Sequence, residues 1–292
     1  MDNTFIMIQR KDGPVRDWAE RKGCFVESHI PFRYHPDIGY TAMTQFSLQN
    51  QVVDVCHRLY ARGMVTAMDG NVSVRLPSGN ALTTRSGINK GMITENDLVE
   101  VTANGEHVRG TGKPSTEIGM HLFIYQQRTD IHAVVHAHPI YATGFATARL
   151  PLDACMFPEV IVGLGAIPLA EYATPSTPEV ATSLLPFVKT ADAILLANHG
   201  VVTYARDLFE AYFKMEKVEH AANITFVAKM LGGPRGLSRG DVDKLRQISP
   251  QSYGKDFSDK VACAVRESDE ANLSENELKE YVAQKLNALG LR

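Results

Sequence analysis

Between Ser47 and Tyr60 apolar residues keep helical spacing: Val52, Val53, Cys56, Leu59 and Tyr60 recur along one stripe, and Gly63 stands where a C-terminal cap belongs. The pattern predicts a first core helix. Beyond it the period shortens. NVSVRL, ALTT and DLVEVT are short apolar or alternating runs separated by Gly, Asn and Ser clusters, the signature of an antiparallel sheet. A helix is expected from about Thr116 to Arg128, then strands at HAVVHAH, VIVGLGAIPL, AILLA and VVTY. Two helices interrupt this second group. One covers TPEVATSLLPFV, with Thr177 as cap and Pro178 at the first helical position. The other begins at Asp207, which has capping-box spacing to Glu210, and carries Leu208, Tyr212, Met215, Val218, Ala222 and Phe226 on one face.

The flanks read differently. Residues 1–45 mix Pro, Gly, His and charge without sustained period and are expected to form an N-terminal extension, leaving 46–232 as the main domain. Past Gly232-Gly233-Pro234 the composition turns charged, so 233–292 is expected to be a C-terminal helical extension. Its last segment, Ser274 with Glu277 followed by Leu278, Tyr281, Val282, Leu286 and Leu289, has the pattern of a capped amphipathic helix. That stripe must cover something, and packing on its own or a neighbouring subunit is the reading adopted, with an external partner as the alternative.

Composition narrows the function. With 44% hydrophobic and 22% charged residues the chain is an ordinary globular one, and a formal charge of -3 gives no electrostatic reason to expect nucleic acid or an anionic membrane as partner. Small-molecule work is the expectation. The N-terminus carries charge where a signal peptide needs an apolar stretch, and no apolar run reaches the roughly 18 residues of a membrane span. Four cysteines, Cys24, Cys56, Cys155 and Cys263, lie far apart and form no CxxC, so neither a zinc knuckle nor a disulfide framework is indicated. The expected location is a reducing cytoplasm.

The candidate chemistry begins at His136 and His138. Side chains two apart on a strand point to one face, about 7 Å apart along the chain, and can converge on one ion. Each has an ordinary alternative as a hydrogen-bonded structural histidine. His199 follows the AILLA strand in Asn-His-Gly, a turn that would hold its side chain at the sheet's edge. Three histidines at strand ends form an open metal site with room for substrate, suited to Zn2+, with iron, cobalt or manganese also admissible. Glu117 falls at a helix start marked by Pro114, Ser115 and Thr116, with His121 one turn later on the same face. It is a candidate base, or simply a first-turn acid that favours the helix dipole. The loops MDGNVSVR and TTRSGINKG are rich in Gly, small hydroxyls and backbone N–H groups, ingredients either of plain turns or of a phosphate nest.

The order of these pieces is specific. GNVS, SGINKG, KPSTE with His121, HAH and NHG together resemble the class II aldolase/adducin family over about residues 46–230. The resemblance implies a three-layer α/β/α sandwich around a mainly antiparallel sheet, in a cyclic homotetramer. It implies that His136, His138 and His199 bind zinc, that Glu117 is the catalytic acid/base, and that Asn71, Ser86, Gly87, Ser115 and Thr116 hold a substrate phosphate. The expected reaction is cleavage of a ketose 1-phosphate, of the L-fuculose 1-phosphate kind, to dihydroxyacetone phosphate and an aldehyde. Zinc would stabilise the enediolate left when the carbon–carbon bond breaks, and Glu117 would protonate it.

Alternatives within the family are a 3-oxo-tetronate 4-phosphate decarboxylase and a pentulose-phosphate 4-epimerase. Glu117, where the epimerase has Asp, leans toward the aldolase. From another class comes a non-catalytic, adducin-like interaction module, against which the retained histidines and glutamate count. The chain also departs from the family pattern. Arg85 stands where members often have proline, and no tyrosine of LPLDACMFPEVIVG aligns with the aldolases' proton donor.

Overall fold

A computed structural model of the chain describes residues 45–253 and 262–265. The N-terminal extension through residue 44 and the helix expected over 274–289 lie outside the described residues. The chain enters through helix α1 (Gln45–Ala61), whose Val52, Val55, Cys56 and Leu59 are buried, and turns at Gly63, where φ is 67°. Strands β1 (Asn71–Arg75), β2 (Ala81–Thr84), β3 (Leu98–Val101) and β4 (His107–Arg109) follow as an antiparallel meander. Helix α2 (Ile118–Gln127) leads to β5 (Ala133–Ala137), then to α3 (Ile140–Thr147) and α4 (Pro158–Gly163). After β6 (Leu169–Ala170) and α5 (Glu179–Leu184), the hairpin of β7 (Ala193–Leu196) and β8 (Gly200–Ala205) feeds the long α6 (Leu208–Met230) and then α7 (Arg239–Tyr253).

The strands form one eight-stranded sheet in the order β4-β3-β2-β1-β5-β8-β7-β6, antiparallel everywhere except between β6 and β7. Alternation sorts its side chains into two cores. Val72, Val74, Val135, Leu195 and Val201 pack under α1, α3 and α6 on one face. Val134, Ile194, Val202 and Tyr204 pack under α2 and α5 on the other. This is the expected three-layer α/β/α arrangement around a mainly antiparallel sheet. Its centre, β1-β5-β8-β7, is buried on both faces, and truncating a side chain there, Leu195→Ala for instance, costs about 2–5 kcal/mol because dense packing cannot close the void. That rigidity sets the positions of everything at the strand ends.

Some expectations need correction. The VIVGLGAIPL run is no strand: Pro158 occupies the first helical position and Val160, Ile161 and Val162 are buried in α4, leaving only Leu169–Ala170 as β6. Tertiary burial overrides the β preference of the branched residues. Helices α3 and α7 and strand β4 add to the expected elements. Helix α2 starts two residues later than expected, so Glu117 is its N-cap rather than part of its first turn. Pro178, not Thr177, caps α5, and the Thr177 hydroxyl donates instead to the Thr174 carbonyl at 2.7 Å. The capping interaction at Asp207 is present, its carboxylate accepting from the Glu210 N–H at 2.8 Å.

The cysteines give the clearest correction. Cys155 and Cys263, 108 residues apart, form a disulfide, and Cys56 is the free cysteine among the described residues. Ala154 and Ala264 pair as a short parallel bridge beside the disulfide. Ile161, Ala166 and Val242 complete a small third core that fastens α7 to α4. No helix among the described residues is long and apolar enough to cross a membrane.

Candidate active site

Register brings the first ligand candidate to the middle of the sheet. His136 pairs with Asn71 of β1 on one side and Val202 of β8 on the other, and its side chain is fully buried. Its Nδ1 lies 2.9 Å from the Val201 carbonyl. A donor there fixes the tautomer and leaves Nε2 with a lone pair facing outward. His138 lies one residue past the end of β5, yet its Nε2 comes to 3.1 Å from that of His136. Its backbone N–H is held by the Met64 carbonyl at 2.9 Å, and its Nδ1 faces Asp69 at 3.8 Å.

His199 is placed by the β7–β8 turn, as the sequence suggested. Its N–H bonds back to Leu196 at 3.0 Å, and Asn198 takes the left-handed φ of 53° that a short polar side chain tolerates. Gly200 is required by close approach. A Cβ at that position would stand 2.5 Å from the His138 ring and 2.6 Å from the Ala137 carbonyl oxygen.

The three imidazoles each offer a nitrogen within 4.8 Å of the others. Neutral imidazoles converging in a partly enclosed pocket suit a borderline-soft divalent cation, with an open position left for substrate. Burial disfavours the charged form of two of them: it pulls His136 down to about 3 and lowers His138 as well.

Glu117 closes the fourth side. Its Oε1 lies 3.1 Å from Nε2 of His199, and its Oε2 lies 3.4 Å from Nε2 of His136 and accepts from the Asn71 amide at 2.8 Å. The side chain is 14% exposed. Burial alone would raise its pKa, but the interactions with His136, His199 and Asn71 outweigh that and hold it well below the ordinary carboxylate range. Behind it runs a buried polar chain. The Ser73 hydroxyl bonds His121 Nδ1 at 2.7 Å and the Tyr125 hydroxyl at 2.8 Å.

The five phosphate candidates fall on two adjoining segments and the head of β1. The Ser86 N–H donates to the Lys113 carbonyl at 2.9 Å and the Ser115 N–H to the Thr84 carbonyl at 3.2 Å, so the Ser86-Gly87 turn and the Ser115-Thr116 approach to α2 lie side by side. Ser86, Gly87 and Thr116 are exposed, whereas Ser115 and Asn71 are buried, and Gly87 has the left-handed φ of 71°. Arg85 does not reach toward them as a free cation, because Asp97 takes its guanidinium at 2.7 Å. Sequence reasoning missed Asp69, Ser73 and Tyr125 as neighbours of the site. Their only signal was position, Asp69 and Ser73 in the MDGNVSVR stretch and Tyr125 on the His121 face of α2.

Against known proteins, the profile described as "Class II Aldolase and Adducin N-terminal domain" matches residues 50–226. The chain belongs to that family. Among class II aldolase relatives, an L-fuculose phosphate aldolase of Methanococcus maripaludis (strain C7) is 35% identical over 180 residues, 61% of this chain and 96% of that protein. A 3-oxo-tetronate 4-phosphate decarboxylase of Escherichia coli (strain K12) is 33% identical over 212 residues, 70% of this chain and 98% of its own length. A solved structure titled L-fuculose 1-phosphate aldolase superposes with a TM-score of 0.65 at 34% identity, covering 70% of this chain and 97% of that one. The class II aldolase fold therefore accounts for the sheet and its flanking helices, and the matched region ends within α6.

Proposed function

We propose that this protein is a zinc-dependent carbon–carbon lyase that cleaves a ketose 1-phosphate of the L-fuculose 1-phosphate kind to dihydroxyacetone phosphate and an aldehyde, working as a cytoplasmic homotetramer. The observation that carries the reading is the meeting of three imidazoles at the strand ends with the one carboxylate of Glu117. His136, His138 and His199 would hold the cation. When bound, it supplies a Lewis acid for the negative charge left on substrate oxygen as the bond breaks.

The remaining work falls to this chain's own side chains. Glu117, kept ionised at rest, takes a proton from carbon in the condensation direction and returns it there in cleavage. Asn71 orients that carboxylate. Ser86, Gly87, Ser115 and Thr116, with the second N–H of Asn71, receive the phosphate, and the packed helices around α2 keep the reacting end partly dry.

A second reading draws on the decarboxylase relative, whose match extends over 70% of this chain. Loss of carbon dioxide from a 3-oxo-tetronate 4-phosphate leaves the same kind of carbanion beside a carbonyl, so one site geometry serves both. Zinc-loaded protein should be incubated with a panel of ketose 1-phosphates and with a 3-oxo-tetronate 4-phosphate, following aldehyde, dihydroxyacetone phosphate and carbon dioxide. Aldehyde release supports the aldolase reading, and carbon dioxide release replaces it with the second. Neither product, from protein that holds zinc, defeats both.

A further inference from the structure

Lys90, in the SGINKG segment, is 2% exposed and among the largest fully buried side chains. Its ammonium donates to the Ile88 carbonyl at 2.9 Å and the Met68 carbonyl at 3.3 Å. Its neighbour Asn89 donates from Nδ2 to the Ala67 carbonyl at 2.7 Å and accepts from the Gly91 N–H at 2.8 Å. Asn89 and Lys90 therefore tie the loop that leads into Asn71 to the loop that carries Ser86 and Gly87.

The first of these loops needs a brace. Ala67 has a left-handed φ of 44°, a conformation that a residue with a Cβ keeps only where surrounding contacts enforce it. A Cβ on Gly70 would stand 2.8 Å from the His136 carbonyl oxygen, so this loop packs directly against the strand of the metal-ligand candidates.

The choice of lysine asks for a second reason, since a neutral donor could bind two carbonyls without the cost of burying charge. Burial does pull the Lys90 pKa below the ordinary lysine value, while the nearby Asp69 and Glu117 carboxylates act the other way. The hydrogen bonds of its ammonium run to backbone carbonyls, not to a carboxylate. Its positive charge is thus left to act on whatever rests on the two loops. The other cation of this segment, Arg85, has its charge matched by Asp97.

We infer that Lys90 is the positioning residue of a phosphate cradle: it braces the 67–70 and 86–89 loops together and places a full positive charge beneath them for a phosphate monoester dianion. The inference rests on the phosphorylated-substrate reading above. Lys90 acts through the loops and through space.

Calorimetric titration of zinc-loaded protein with inorganic phosphate tests it without any substrate. Lys90→Met should bind phosphate about tenfold more weakly than wild type, the scale of one nearby charge at a partly screened site, with unchanged zinc content. Lys90→Arg should regain part of the loss, and KM for a phosphorylated substrate should rise more than kcat falls. If Lys90→Met does not fold, Lys90→Gln supplies an uncharged donor to the same carbonyls and should show the same weakening. Equal phosphate affinity in wild type and either uncharged variant overturns the role of Lys90 and leaves the phosphate reading standing. Failure of wild type itself to bind phosphate, with no preference for phosphorylated substrates, overturns both.

Discussion

The amide of Asn71, the first residue of β1, donates at 2.8 Å to the carboxylate of Glu117, the residue that caps α2. This bond joins a rigid strand to a helix end across 46 residues and aims the carboxylate along the row of imidazoles. Replacing Asn71 with Ala leaves Glu117 with less to hold its orientation. Turnover should fall about tenfold, the penalty expected of a loosened catalytic geometry. Zinc content should be unchanged. Full turnover with only KM for phosphorylated substrates raised would make Asn71 a phosphate contact alone.

Glu117→Gln removes the proton acceptor and keeps the shape. Turnover should drop roughly 100-fold or more, the usual worth of a positioned base, while elemental analysis still finds metal. Near-normal turnover would reduce Glu117 to a helix-start residue.

Each of His136→Ala, His138→Ala and His199→Ala should lose bound metal, because an open site with three protein ligands has none to spare. His136→Ala should also destabilise the fold, since its ring is fully buried in the central sheet. Stoichiometric zinc in all three variants would place the metal elsewhere.

These four residues were legible in the sequence because each sits next to a local signal: HAH at the end of an apolar run, Asn-His-Gly after another, Glu117 after Pro-Ser-Thr. The fold was legible where short apolar or alternating runs are bounded by turn residues, as in β1, β2, β7 and β8. It failed where burial hides the period. Helix α3 buries Ala142, Phe145 and Ala146 within eight residues, too short a segment to display a polar face. Helix α4 carries β-branched residues that read as strand until Phe157-Pro158 is seen to start a helix. Long-range relationships left no pattern at all. Nothing local announces that Lys90 holds the Met68 carbonyl, that Asn71 holds Glu117, or that Cys155 meets Cys263.

Acid should weaken the fold through His121. Burial pulls its pKa down to about 4 from an ordinary value of 6.5. Between those two values the unfolded chain binds a proton that the folded chain refuses, so stability present above pH 6.5 is lost as pH falls toward 4. The lowered values of His132, His136 and His138 act in the same direction. In metal-free protein, denaturant unfolding across this window should show a pH slope for wild type that exceeds that of His121→Gln by about one proton. Identical slopes would mean that His121 is as readily protonated folded as unfolded.

The disulfide supplies the last prediction, because it sets the structure against the reducing compartment expected from cysteine spacing. Cys155 and Cys263 are buried in the small core that joins α7 to α4, with the Leu237 N–H held by the Cys155 carbonyl at 2.8 Å and the Ala264 N–H by that of Asp153 at 2.7 Å. These contacts join Leu237, Cys263 and Ala264, beyond the matched family region, to Asp153 and Cys155 within it, so the bond fastens the C-terminal extension to the body. Closing a loop of 108 residues restricts the unfolded chain by up to about 4–5 kcal/mol on the chain-entropy account. The histidines share no residue with this core. Reductant, or Cys263→Ser, should therefore lower the unfolding midpoint while leaving zinc content and turnover near their starting values. Thiol titration of the native protein should find two fewer reactive groups than after reduction and denaturation, apart from Cys56, whose burial pushes its thiol up to about 12 and keeps it unreactive while folded. The same midpoint with and without reductant would show that the two sulfurs are unbonded in solution, and that α7 is held by its apolar contacts alone.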